Sequence, residues 1–301
     1  MTAGWGEAAA FCTAFSWSIS SYVHGALGRV ISATGVTLLR LPYQLALLGA
    51  LCILLDIGTS VSSRGFFLLF LSGFTGISLS DFMLYRAILT LGPQTSILLI
   101  STSAGFTALF GWVFLGEVLP TQAVLGMLVV FSGVVCVLTE RTGSTLLPGQ
   151  EVPKGKKLAA GVLLVLVAAV FQAASFIALK MAMQSGVSPL WAAFMRLLLA
   201  AVVLWGVGLL RGWSFAAVRN LREHPSVFWI LMGACSFSAG GMWCSSIAMD
   251  LAPAGVAATI IGLQPVFITI VGGVWQRRMP SLRVVAGTLI AFSGTALLCL
   301  R

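Results

Sequence analysis

One stretch of this chain is written twice. LYRAILTLGPQTSILLISTSAGFTALFGWVFLGE, from Leu84 to Glu117, returns in altered form as CSSIAMDLAPAGVAATIIGLQPVFITIVGGVW, from Cys244 to Trp275. Each copy ends one apolar run at a Leu-x-Pro break and opens another of about 20 residues, the length at which a helix crosses a bilayer. Leu91 and Pro93 recur as Leu251 and Pro253, an offset of 160 that also carries Gly73 to Gly233, Ser78 to Ser238 and Pro120 to Pro280. The chain is thus one half repeated.

Apolar runs of spanning length lie at 5–25, 33–55, 65–90, 93–115, 121–139, 158–184, 188–210, 226–250, 253–275 and 281–300. They predict an all-α integral membrane protein with ten transmembrane helices. The expected division is a first five-span repeat over 1–140, a linker over 141–157 and a second repeat over 158–301. Five is odd, so the second repeat re-enters the membrane upside down relative to the first. Inverted five-helix repeats of this kind are the architecture of many secondary transporters. Composition agrees: 59% of residues are hydrophobic and 8% charged, against roughly 25% charged in soluble domains. Too little polar surface exists to cover a water-soluble globule.

The net charge of +9 comes from Lys and Arg lying mostly between spans. There they act as topology signals and headgroup contacts, so no nucleic-acid partner is expected and the bilayer is the first partner. Counted over the loops they favour the linker side, which places the linker in the cytoplasm and both termini outside. The six cysteines all fall inside apolar runs without a CxxC pair and read as small core residues. MTAGWGEAAAF lacks the basic n-region of a cleaved signal peptide, so the first span is expected to be retained. Between Arg211 and Pro225, Trp213, Phe215, Val218 and Leu221 could form one face of a short interfacial helix, or the segment is a loop.

Ionisable residues inside spans are costly and ask for a reason. Asp81 is the sharpest case. Thr75, Ser78, Asp81 and Tyr85 fall at helical spacing and form one polar stripe. Asp81 could exchange a proton or meet a cation, which makes it the candidate coupling residue; a structural pairing with Arg86 or another buried donor is the alternative. Arg40 and Arg196 are repeat mates at an offset of 156, as are His24 and Lys180. These four are candidates for a gate or an anion contact, or they tie helices together. Glu7 lies one turn into the first span, Glu117 suits the N-terminus of the fifth, and Asp56 and Asp250 lie at span ends. For substrate binding, the first span offers Ser16, Ser20 and Trp17, the fourth Ser101, the sixth Gln172 and Ser175, the eighth Trp243, and the ninth Gln264, together with Asp81 and Tyr85. Taken singly each serine is explained by small-residue helix packing; as facing stripes in repeat-related spans they predict a central polar cavity. Gly126 and Gly133 match Gly287 and Gly294 at seven-residue spacing, which permits close helix approach within the protomer or in a homodimer.

No HExxH, GxSxG, Walker loop or cluster of metal ligands occurs, so no enzyme, metal or cofactor is expected.

Several local patterns resemble the EamA-type branch of the drug/metabolite transporter superfamily. Trp17, Ser18, Ser20 and His24 resemble its aromatic, small-polar and basic opening. Leu39-Arg40 and Met195-Arg196 resemble its Leu-x-Arg feature. Tyr85-Arg86-Ala87, Leu115-Gly116-Glu117 and Leu263-Gln264-Pro265-Val266-Phe267 resemble three further motifs, the last with Gln for the usual Glu. After the ninth span Gln276-Arg277-Arg278 departs from the expected repeat of Gly-Glu. The resemblance covers the whole chain. It implies a multi-pass transporter, with both termini in the cytoplasm, that exports small organic metabolites such as amino acids, in a bacterial inner membrane. A nucleotide-sugar or other organic-anion exchanger is the second reading. A membrane-embedded enzyme or lipid-handling accessory protein is the third.

Overall fold

The computed structural model describes residues 4–57, 61–91, 93–138, 155–223, 225–275 and 282–299. Most of the predicted linker lies outside the described residues, as do Gln276, Arg277 and Arg278. Among the described residues there are helices and no strands. In the first half these are α1 (Trp5–Ile31), α2 (Ala33–Leu54), α3 (Ser63–Ser72), α4 (Asp81–Leu91), α5 (Pro93–Ile100), α6 (Ser103–Leu115) and α7 (Thr121–Leu138). In the second they are α8 (Lys156–Gln184), α9 (Pro189–Leu210), α10 (Trp213–Glu223), α11 (Pro225–Leu251), α12 (Ala254–Ile261), α13 (Gln264–Trp275) and α14 (Leu282–Cys299). A π-helical segment, Gly73–Ser80, joins α3 to α4. Each predicted apolar stretch is occupied by helix, and among the described residues six helical runs are long and apolar enough by themselves to cross a membrane. The fourth and ninth stretches are each split in two, at Ser101-Thr102 and at Gly262-Leu263.

The packing follows the repeat. α1 lies against α11, α12 and α13 of the second half, and its counterpart α8 lies against α3, α4, α5 and α6 of the first. The mates α2 and α9, and α7 and α14, pair with each other, and α6 packs on α12 of the other half. α7 and α14 touch backbone to backbone: a Cβ added at Gly133 would stand 2.4 Å from Ala291 N, and one at Gly294 2.6 Å from Val130 N. The matched glycines are therefore used within the chain. We expect Gly133→Ala to destabilise by about 1–3 kcal/mol through overpacking. Gly206→Ala in α9, where nothing lies within 4 Å of an added Cβ, should stabilise by about 0.5–1 kcal/mol from helix propensity alone. Thermal unfolding of the two variants in detergent checks the contrast.

Large apolar side chains such as Ile53, Phe67, Trp112, Leu128, Leu163 and Trp229 face outward, as the lipid-exposed surface of a membrane protein requires. The core runs through α1, α8, α12 and the α7–α14 pair, with Phe11, Phe267 and Phe292 in mutual contact.

Of the two readings of the segment between Arg211 and Pro225 the helix holds: α10 turns Ser214 and Ala217 inward and leaves Phe215 70% exposed. Two expectations need correction. Cys52 and Cys235 are buried, whereas Cys12 is exposed; its Sγ lies 3.5 Å from Cys244 Sγ, where α1 meets α11. Glu117 caps no fifth span: its Oε2 accepts from Ala254 N at 2.8 Å, so it caps α12 in the opposite half. Asp56 and Asp250 are exposed at helix ends, as expected.

Candidate functional site

The π-helical segment shapes the centre of the molecule. A Cβ on Gly73 would fall 2.2 Å from Arg196 O, and one on Gly76 2.3 Å from Ser175 Oγ. Two glycines thus let this wall meet α9 and α8 closely. Asp81 N closes the segment by donating to Gly76 O, the i→i−5 bond of a π-turn. The wider turn breaks the stripe expected from α-helical spacing. Thr75 donates to Leu71 O and Ser78 is buried away from the cavity, while Asp81 and Tyr85 face it.

The cavity holds about 150 Å³. α1 contributes Trp17, Ser20, Ser21 and His24, and α2 contributes Arg40. The π-segment and α4 add Gly76, Asp81 and Tyr85, and α8 and α9 add Gln172 and Arg196. The two broken helices close it with Ser101, Ser103, Gly262 and Gln264. A larger apolar crevice, about 350 Å³, lies between α6, α7 and α12 and shares Ser101 and Gly262 with it. Leu, Val and Met dominate that crevice, so the smaller cavity is the one equipped to recognise a polar solute.

Arg40 Nη2 and Asp81 Oδ2 form an ion pair at 2.5 Å, with side chains 10% and 29% exposed. Arg40 also lies 5.9 Å from the centre of the Tyr85 ring. Arg86 is not the partner of Asp81; it is exposed and sits over Phe82. Gln264 Nε2 donates to Ser21 Oγ at 3.0 Å and its backbone O accepts from Ser18 Oγ at 2.9 Å, joining α1 to the start of α13. Trp17 Nε1 donates to Ser238 O at 3.4 Å, and its ring covers Gly241.

Four other predicted residues lie outside the cavity. Ser16 is buried in the α1–α11 contact beside Gly241. Trp243 packs on the apolar cluster of α2, α9 and α11. Ser175 exchanges hydrogen bonds with Ser72: its Oγ donates to Ser72 O at 2.8 Å and its own carbonyl accepts from Ser72 Oγ at 2.9 Å. Lys180 pairs with Glu117 Oε1 at 3.0 Å and donates to Ala252 O. Serine and tryptophan serve packing as well as binding, so residue type alone did not separate these from the lining. Ser21, Ser238 and Gly76 were missed. Ser21 stands one turn from Trp17 and was legible; Gly76 depends on the π-turn and was not.

A model of the EamA-like transporter family matches residues 4–139 and again residues 159–300. The chain belongs to the EamA-like transporter family. Each half matches the same family model, so the repeat read from the offsets is the repeat of that fold. Among solved structures, a crystal structure superposes with a TM-score of 0.73 at 18% identity, over 97% of this chain and 95% of that one. At that identity the likeness speaks for the fold alone. Comparison with curated proteins gives no match. As an EamA-like chain this is an integral, multi-pass membrane protein of a transporter family.

Proposed function

We propose that the chain is a secondary or facilitative transporter, an exporter of small organic metabolites such as amino acids in a bacterial plasma membrane. It works by alternating access around the polar cavity, with Asp81 as coupling residue. The observation that carries this reading is the Arg40–Asp81 pair, set in a cavity walled by both halves and by their two broken helices. Discontinuous helices meeting at a repeat interface are where transporters place substrate and coupling sites. An ion pair that ties α2 to α4 gives such a site two states, because a proton or a charged solute can compete for either partner.

Exchange of organic anions is a second reading, favoured by the second guanidinium, Arg196, in the same cavity. Purified protein in sealed liposomes tests the class. Saturable solute flux is expected; chemical conversion of a solute without flux would point to a membrane-embedded enzyme and sink the proposal.

A further inference from the structure

The two repeat-related arginines are not equivalent. Arg40 has a carboxylate. Arg196 is 2% exposed and lines the cavity, and among the described residues its one hydrogen bond runs from Nη2 to Ser175 Oγ at 3.1 Å. Its Nε and Nη1 have no hydrogen-bond partner among those residues. The repeat explains why. The offset of 160 that carries Ser78 to Ser238 carries Asp81 to Gly241, so the second half has a glycine at the place of the acid. The indole of Trp17 covers that glycine. Among the described residues the lining therefore holds two guanidinium groups and a single carboxylate.

A buried guanidinium with no carboxylate bound to it is costly unless an anion joins it. Its planar fork matches a carboxylate and supplies several donors in fixed geometry. Two guanidinium groups against one carboxylate leave room for one further carboxylate group, as on an organic acid or an amino acid, rather than for a phosphate dianion. A cavity of about 150 Å³ matches one known to hold a molecule of benzene's bulk. We propose that Arg196 is the anion-binding residue of the cavity and that the transported solute presents to it the carboxylate of a small organic acid or amino acid. Ser175 positions the fork: its hydroxyl accepts from Arg196 and donates to Ser72 O. The inference rests on the transporter reading and names the group by which that site recognises its solute.

The test uses the full chain in lipid nanodiscs, with binding followed through Trp fluorescence, since Trp17 lines the cavity. The probes are propionate against propionamide, L-alanine against L-alaninamide, and inorganic phosphate. Each carboxylate should bind about tenfold or more tightly than its amide, the loss expected when a charge-assisted pair becomes a neutral contact. Arg196→Gln should abolish that preference, and Arg196→Lys should retain part of it. Equal binding of acid and amide, binding of neither, or an undiminished preference in Arg196→Gln would overturn the inference. Tighter binding of phosphate than of either acid would overturn the carboxylate assignment. If Arg196→Gln does not fold, the acid–amide comparison in the unmodified protein and in Arg196→Lys still decides. Liposome flux of an amide without preference for the acid would defeat this inference and leave the transporter reading standing. Absence of flux for any solute would defeat the transporter reading itself.

Discussion

Asp81→Asn should abolish coupled flux and still give a folded protein. The Asp81 carboxylate is the acid in the cavity lining, and it is bound to Arg40. Asn keeps its shape and can still accept from Arg40, but it carries no charge and takes no proton in the working pH range. Breaking a buried pair costs about 3–5 kcal/mol. The Asp81 side chain is 29% exposed to the cavity, so solvent reduces the loss to the ~1.5–3 kcal/mol of a hydrogen bond to a charged group. That is tolerable for folding. The same energy, applied to the balance between two cavity states, shifts their populations by about ten- to a hundredfold. Arg40→Gln should behave alike, and the double variant should recover stability without recovering flux. Flux along a pH gradient, with thermal unfolding on the same samples, makes the comparison. Unchanged pH-dependent flux in Asp81→Asn would remove Asp81 from the coupling step.

The largest stability effect is expected at Glu117. Its carboxylate receives the first N–H of α12 and pairs with Lys180 on α8, so one side chain at the end of α6 holds two helices of the other half. Lys180 and Glu117 are 10% and 17% exposed. Glu117→Ala removes a helix cap, about 1 kcal/mol, and strands a buried ammonium, about 3–5 kcal/mol. Glu117→Gln keeps the cap and loses the pair. Adding Lys180→Met to Glu117→Gln should restore much of the loss, because the cost lies in the unpaired charge. Thermal unfolding in detergent gives the order: unmodified protein, then the double variant, then Glu117→Gln, then Glu117→Ala. Equal stability of the first and last would show that this junction is not a structural tie.

Period and offset made the fold legible. Apolar runs of spanning length, broken by Pro at matching places, leave few alternatives to a repeated helical membrane protein. The cavity was legible in part. Trp17, Gln172 and Gln264 were found because polar side chains in apolar spans must face something other than lipid. Glu117 was misplaced because a helix-end acid suits the nearest N-terminus in sequence, whereas the nearest in space belongs to the other repeat. The stripe on the third span failed at Thr75 and Ser78 because α-helical spacing does not hold through a π-turn, and that turn depends on how Gly73 and Gly76 meet α9 and α8. The inequality of Arg40 and Arg196 was present in the offsets, since Asp81 and Gly241 are repeat positions, but it acquires meaning once their surroundings are known.

Alternating access is tested most directly at Ser101, which lies at the break between α5 and α6 and lines the cavity. Ser101→Cys, in a chain whose own cysteines are replaced, would be exposed to a membrane-impermeant thiol reagent from each side of sealed vesicles. Reaction from both sides is expected, with a transported solute changing the ratio of the two rates. Reaction from one side alone, whatever solute is present, would contradict the account.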